Sequence, residues 1–136
     1  MGGTEAMRID SNQQVLYFGN SLATGAASVI GYGTGSGGSV TQITSRTTGV
    51  TLNKSNGAIT LFSAAGSATW ASFTVTNSLV AATDVIEVCA KSGTNLYLVS
   101  VTAVAAGSFQ ISFATTGGTA TDAPVFNFAI CKAVTA

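Results

Sequence analysis

The side chains that could carry acid–base, nucleophilic or metal chemistry are few in this chain. Its 136 residues include no histidine, two cysteines and five acidic residues. Without histidine there is no Ser-His-Asp or Cys-His nucleophile system and no imidazole metal site, and two thiols alone do not make a tetrahedral zinc site. Asp84 and Glu87 lie three residues apart, a spacing that directs them to opposite faces of an extended strand. The sequence therefore predicts a protein that is not an enzyme and uses no cofactor or metal.

One glycine-rich segment has the spacing of a nucleotide-binding loop. Residues 33–38 (GTGSGG) satisfy the pattern G-x-G-x-x-G, which binds dinucleotides where a helix follows and an acidic residue lies about 20 positions later. Here the β-branched run of residues 39–44 follows, and a lysine, Lys54, stands near the position of that acid. The segment also lacks the Lys-Ser/Thr ending of a P-loop. We interpret it as a flexible turn that precedes a strand.

The aromatic residues offer a different chemistry, the stacking of sugar rings. The candidates are Tyr17, Phe18, Tyr32, Trp70 and Tyr97. Aromatic residues at alternating strand positions usually belong to the core, and the first three candidates lie in an irregular N-terminal region. We therefore favour contact between subunits over glycan binding for these three.

The two cysteines, Cys89 and Cys131, lie in apolar, strand-like segments. Two thiols in a chain without a secretory signal are more often reduced core residues than a disulfide. The sequence favours that interpretation and leaves open a disulfide between neighbouring strands.

The charge content limits the possible partners. Only 7% of the residues are charged, against about 25% in an ordinary soluble domain, and five acids balance five bases. Twenty threonines, fifteen serines and 16 glycines provide uncharged cover, while 46% of the chain is hydrophobic. Because neutral, weakly charged surfaces tend to self-associate, we expect a subunit whose exposed faces are covered in an assembly. The alternative is a monomer that its hydroxyl groups keep soluble.

The same distribution argues against nucleic acid and membranes as partners. No two of the five bases lie near each other, whereas phosphate binding needs clustered Lys and Arg. Apolar runs are interrupted within a few positions, so no segment reaches the ~20 apolar residues of a spanning helix. The N-terminus has neither the basic start nor the apolar run of a secretory signal.

The elements that position these residues are predicted to be strands. Apolar alternation and β-branched residues indicate strands at 70–76, 96–104, 109–113 and 125–131. Turn residues predict hairpins at 53–57, 92–95, 105–107 and 117–119. Pro124 marks the start of the final strand, and no segment has helical periodicity. We expect an all-β, antiparallel β-sandwich or jelly-roll-like domain over residues 31–136.

Residues 1–30 differ in character and are predicted to form an N-terminal extended arm for attachment. Two short strands, at 5–10 and 13–18, are joined by a Ser11-Asn12 turn, and a looser stretch follows. The residues expected to contact a neighbouring subunit or another protein of the assembly are Met7, Arg8, Ile9, Leu16, Tyr17, Phe18 and Tyr32.

Several segments resemble structural proteins of tailed bacteriophages. Residues 31–53 (GYGTGSGGSVTQITSRTTGVTLN), 56–60 (NGAIT) and 124–130 (PVFNFAI) are similar to segments of small virion proteins of these phages. Residues 3–11 (GTEAMRIDS) resemble the GTERMRIDSSGN stretch of phage tail-fibre proteins, with Ala6 in place of an arginine and residues 12–14 departing from it. The resemblance implies a virion protein, commonly trimeric, without catalytic residues.

We therefore expect a trimeric capsid decoration (cement) protein that stabilises or decorates the phage head. Its partners would be copies of itself and the major capsid protein or another virion protein, on the capsid surface after assembly in the host cytoplasm. Chain length favours the capsid over the tail, since tail fibres are normally much longer. Three alternatives remain: a tail-fibre or spike domain that binds a host receptor, a secreted fimbrial-type subunit, and a carbohydrate-binding module.

Overall fold

The computed structural model describes residues 7–9, 15–17, 32 and 35–133, and within them the fold is all-β, with no helix. The chain divides into two compact units, Met1–Thr34 and Gly35–Ala136. In chain order the strands are β1 (Met7–Ile9), β2 (Val15–Tyr17), β3 (Gly37–Thr41), β4 (Val50–Thr51), β5 (Asn56–Thr60), β6 (Ala64–Ala65), β7 (Ala71–Thr76), β8 (Val85–Ser92), β9 (Leu96–Ala105), β10 (Ser108–Thr116), β11 (Thr121–Asp122) and β12 (Val125–Cys131).

The first unit contains an antiparallel strand pair. β1 and β2 run side by side, with Met7 opposite Tyr17 and Ile9 opposite Val15. This confirms the two short strands predicted within residues 5–18. The predicted turn at Ser11-Asn12 lies outside the described residues.

The second unit contains two four-stranded sheets and one small pair. The sheet orders are β4-β7-β10-β9 and β3-β5-β12-β8, and β6 pairs with β11. Most neighbours are antiparallel, as predicted, but β3–β5 and β4–β7 are parallel, so both large sheets are mixed. The reason lies in the connection: after β3 the chain adds β4 to the other sheet and then returns to form β5 in the same direction as β3. Parallel neighbours require such a crossover.

The core lies where the inner faces of the two large sheets meet. Alternation in β12 buries Phe126, Phe128 and Ile130. In the other sheet, every second residue of β7 and β10 belongs to the same core: Phe73, Val75, Phe109, Ile111 and Phe113. Aromatic rings from the two sheets touch: Phe109 and Phe128 have centroids 5.2 Å apart, and Phe113 and Phe126 have centroids 5.6 Å apart. Such pairs contribute about 0.5–1.5 kcal/mol beyond their buried area. The predicted inward residues of these strands are confirmed.

The predicted hairpins are only partly confirmed. The turn after β9 does join neighbours in one sheet, β9 and β10, and Gly107 takes the positive φ of 81° that the tight turn requires. The turns at 53–57 and 92–95 instead carry the chain from one large sheet to the other, between β4 and β5 and between β8 and β9. The hairpin prediction was wrong there because the same polar and glycine residues suit a corner between sheets. At 117–119 the chain turns into β11 before it reaches β12.

Candidate functional site

Arg46 is held by a loop that folds around the buried side chain of Gln42. The Gln42 amide nitrogen donates to the carbonyls of Arg46 (3.1 Å) and Thr48 (2.7 Å), and its oxygen accepts from the Phe62 N–H (3.2 Å). With every polar atom of this amide bonded, the loop between β3 and β4 has a defined shape. The loop therefore presents the Arg46 guanidinium toward the β6–β11 pair.

The Arg46 guanidinium is the centre of a buried polar network. It donates to a carboxylate oxygen of Asp122 (2.8 Å) and to the Asp122 carbonyl (2.7 Å), and three further bonds reach carbonyls at residues 62, 64 and 65. The Tyr97 hydroxyl donates to the same carboxylate oxygen (2.6 Å), and the Thr94 N–H donates to the other (2.7 Å). We call these residues, Arg46, Thr94, Tyr97 and Asp122, the Arg46 network.

Two members of the network, Asp122 and Tyr97, have shifted pKa values. Burial alone would raise the pKa of Asp122, but the Tyr97 hydroxyl, the Thr94 N–H and Arg46 outweigh it and lower that pKa to about 2. Burial, followed by the hydrogen bond to Asp122, raises the pKa of Tyr97. Neither Asp122 nor Tyr97 is poised to exchange a proton near pH 7. The hydrogen bonds of the network tie together the β3–β4 loop, β11 and the corner between β8 and β9.

A second ion pair fixes the end of β12. Lys132 Nζ lies 2.6 Å from Asp84, whose side chain is fully buried although that of Lys132 is 63% exposed. Asp84 also accepts from the N–H groups of Ala81 (2.8 Å) and Ala133 (3.3 Å). The Ala81 N–H, followed by Lys132, holds the pKa of Asp84 below its usual value. In the part of the chain that the structure describes, no three Cys, Asp or Glu side chains cluster as metal ligands.

The outer face of the β4-β7-β10-β9 sheet is covered by uncharged groups. None of its four strands contains a charged residue. Hydroxyl groups bond across neighbouring strands: Ser112 Oγ lies 2.7 Å from both Ser72 Oγ and Thr102 Oγ1, and Thr102 Oγ1 donates to Gln110 Oε1 at 3.0 Å. We call Ser72, Thr102, Gln110 and Ser112 the hydroxyl row.

At one end of this face, beside the hydroxyl row, lies an apolar patch formed by Trp70, Leu96 and Leu98. Their exposed fractions are 55%, 69% and 46%. Leu98 lies opposite Ala114 on β10, and Trp70 directly precedes Ala71, the partner of Phe113. The register therefore puts Trp70 and Leu98 on either side of Ala114, on the outer face. Strand alternation already indicates an outward Trp70, because Trp70 is two residues from the outward-facing Ser72 and so shares its face. The aromatic character of Trp70, by contrast, favours a core position.

The outer face of the β3-β5-β12-β8 sheet carries an open groove of about 600 Å³. Small residues on the central strands form its floor, and longer side chains on the edge strand β8 form its rim. The lining residues are Gly37, Gly38, Asn56, Gly57, Ala58, Glu87, Val88, Cys89, Lys91, Asn127, Phe128 and Ala129. We call this the outer groove. No spacing in the sequence indicates it, because it combines four strands that are distant along the chain.

The outer groove contains a buried acceptor without a partner. Asn127 Oδ1 is inaccessible to solvent and accepts no hydrogen bond, a condition that costs about 1–3 kcal/mol. Asn77, which is fully buried, shows the usual arrangement: its side chain donates to the Lys54 carbonyl (2.7 Å) and accepts from the Leu79 N–H (3.0 Å).

The cysteines differ from their expectation. Cys89 and Cys131 are free thiols, and both are exposed, so the prediction of core positions was wrong. Each of their strands has one buried face, but both cysteines lie on the other face. Cys131 follows the buried Ile130 and so points away from the core, and Cys89 lies at the rim of the outer groove.

The predicted contact residues fall in the first unit. Met7, Arg8, Ile9, Leu16 and Tyr17 lie in β1 and β2, whose register brings each of them opposite a residue of the partner strand. Tyr32 is 45% exposed, and Phe18 lies outside the described residues. Their role in contacts stays a prediction.

Comparisons of this chain with models of protein families, with curated proteins and with solved structures found no match. Within the described residues, no helix is long and apolar enough to cross a membrane.

Proposed function

We propose that the chain is a non-enzymatic structural subunit of a bacteriophage particle, a trimeric capsid decoration protein. It would bind copies of itself and the major capsid protein or another virion protein on the capsid surface. The observation that carries the proposal is the β4-β7-β10-β9 sheet, which has no charged residue and exposes the apolar patch. Exposed apolar surface next to uncharged polar groups is typical of a face that another protein covers.

The use of the ionic groups supports a structural role. Of the three acids in the described residues, Asp84 and Asp122 are bound in ion pairs and main-chain hydrogen bonds. Both are held ionised by these contacts. The third, Glu87, lies at the rim of the outer groove, apart from the other two. Acid–base catalysis needs convergent groups with a pKa near the working pH. The contacts of Asp84 and Asp122 favour a structural role for both carboxylates instead.

The finer fold type is also part of the proposal. We infer a jelly-roll-like sandwich, supported by the aromatic contacts between the inner faces of the two large sheets. The connections that cross between the sheets, β4 to β5 and β8 to β9, support it as well.

The two outer faces suit two different partners. The face with the apolar patch is uncharged and suits a copy of the same chain, whereas the outer groove has the ions Glu87 and Lys91 at its rim and is free for a second protein. The phage particle itself is proposed from the resemblance of residues 31–53 and 3–11 to virion proteins.

A host-receptor domain of a tail fibre is the second candidate. It is favoured by the position of Trp70 beside the hydroxyl row, since an exposed indole next to hydroxyl groups can stack on a sugar ring. The fimbrial-type alternative usually has a disulfide, and here both thiols are free.

Mass measurement in solution tests the proposal. Sedimentation at micromolar concentration should give a trimer of the 13.5 kDa chain, and a monomer throughout would contradict it. A glycan array separates the two candidates: specific binding that Trp70→Ala abolishes would favour the receptor domain, and no binding is expected for a decoration protein.

A further inference from the structure

The open edges of the two large sheets are not protected equally. Natural proteins blunt an edge strand with charges, with short length or with bulges, because unpaired N–H and C=O groups recruit other strands. The edge strand β4 has only two residues, β3 has five, and β8 carries Glu87 and Lys91. Three of the four edges are therefore short or charged.

The fourth edge, β9, lacks these features over most of its length. It has ten residues, with no charge and no proline. A bulge lies near Thr102, where the pairing with β10 shifts by one residue, but residues 96–101 (LYLVSV) pair regularly. Six-residue segments of high β propensity without charge, proline or glycine have the signature of strands that pair between chains. Among the described residues only β10 pairs with β9.

The apolar patch is continuous with this edge. Leu96 and Leu98 belong to the regular segment of β9 itself, and Trp70 lies two strands away at the same end of the sheet. An occupant of the edge would therefore bury the exposed leucines in the same contact. The two features describe one surface, which presents main-chain hydrogen-bonding groups and apolar side chains together.

The absence of charge on this surface limits which partner can bind it. The surface has no ion with which to recognise a charged partner, and an ion brought against it would lose its water without gaining a counter-ion. A surface that suits it is equally uncharged, and another part of the same sheet on a neighbouring copy meets that condition without bringing like charges together. Such a contact between different parts of the sheet can close into the ring of a trimer. We infer that the β9 edge and the apolar patch form the contact between copies of this chain. The inference rests on the self-association in the proposed function and assigns it to one surface.

A variant that places a charge in the patch tests this assignment. In sedimentation velocity of the full chain, Leu98→Lys should weaken association at least tenfold, because it sets a protective lysine on the edge strand. The matched control is Ile43→Lys, since Ile43 is 82% exposed but lies in the β3–β4 loop; its dissociation constant should stay within twofold of the wild type. Leu98→Thr, which preserves β propensity, should also weaken association. It keeps the test interpretable if Leu98→Lys fails to fold.

The single tryptophan provides an independent readout. Trp70 is the only tryptophan in the chain, so its emission should shift to shorter wavelength over the concentrations at which the mass rises, and should not shift in Leu98→Lys. The thiol of Cys89 lies on the outer face of the other sheet, so its reaction rate with a thiol reagent should not change on association, measured in a Cys131→Ser background.

The outcomes separate the two proposals. If the wild type associates while Leu98→Lys and Leu98→Thr behave like Ile43→Lys, the assignment is wrong and self-association stands. Protection of Cys89 without a shift in Trp70 emission would also overturn the assignment, in favour of the outer groove. A wild-type monomer at every concentration would overturn both. An emission shift caused by an oligosaccharide in the monomer would identify a glycan site and contradict the inference.

Discussion

The Arg46 network and the outer groove both place polar atoms out of water, but they satisfy them differently. In the network, the Asp122 carboxylate accepts from a guanidinium, a hydroxyl and a main-chain N–H. In the groove, Asn127 Oδ1 accepts nothing. Polar groups that hold a fold together are normally bonded, so the comparison separates a region that the fold depends on from one that it tolerates.

Loss of the Asp122 carboxylate should have the largest effect. Asp122→Ala leaves the Arg46 guanidinium without its counter-ion and the Tyr97 hydroxyl without its acceptor, and breaking a buried ion pair in this way costs about 3–5 kcal/mol. Urea unfolding at pH 7 measures it. A loss below about 1 kcal/mol would show that solvent reaches the guanidinium and that the network is not a buried unit.

The second largest effect is expected at acid pH, where the Arg46 network should lose part of its stabilising free energy. The folded pKa of Asp122 is about 2, against a reference of 3.8, so its contribution is complete above about pH 5 and is lost as the pH falls toward 2. The difference corresponds to about 2 kcal/mol of unfolding free energy. Urea unfolding between pH 7 and pH 2 should show this decline, and Asp122→Asn should have a flatter profile. Equal slopes in both proteins would contradict the assignment to Asp122.

The two asparagines provide the sharpest form of the comparison, because truncation to alanine removes identical atoms from each. Asn77→Ala should cost about 1–2 kcal/mol, since the Lys54 carbonyl and the Leu79 N–H lose their partner. Asn127→Ala should be neutral or stabilising, since it removes an unsatisfied acceptor. Thermal unfolding of the two variants side by side measures both. A comparable loss in Asn127→Ala would mean that its oxygen is bonded in solution.

The strands and their buried faces could be read from the sequence, whereas the sheet order could not. Alternation in residues 125–131 fixed the direction of Phe126, Phe128 and Ile130, because a half-buried strand must place every second residue inward. Both large sheets use the same alternation, so nothing in it assigns β8 and β9 to different sheets. The turn between them has the residues of a hairpin and forms a corner.

The candidate surfaces were harder to predict for a related reason. The outer groove depends on which small residues of β5 and β12 become neighbours, which follows from the sheet order. The Arg46 network joins residues 76 positions apart, and the sequence pattern contains no trace of that pairing. For Trp70, the position in the strand alternation indicated the outer face, but its aromatic side chain is of a type usually found in the core.

The smallest effects are expected at the rim of the groove. Glu87 and Lys91 are exposed on β8, so Glu87→Gln and Lys91→Gln should each change the unfolding free energy by less than about 0.5 kcal/mol. These variants serve as controls for Asp122→Ala in the same urea experiment. A loss near 2 kcal/mol in either would show that the rim belongs to the fold as the network does.

The uncharged β4-β7-β10-β9 sheet has a consequence for the speed of assembly. Without charges on the approaching faces, copies meet by unguided diffusion, and association rate constants should fall in the range of about 10⁵–10⁶ M⁻¹s⁻¹ that is typical without electrostatic steering. Added salt has almost nothing to screen at this face. Stopped-flow traces of Trp70 emission should therefore overlay between low and high ionic strength, so that protein concentration, rather than the salt around it, sets the pace of association.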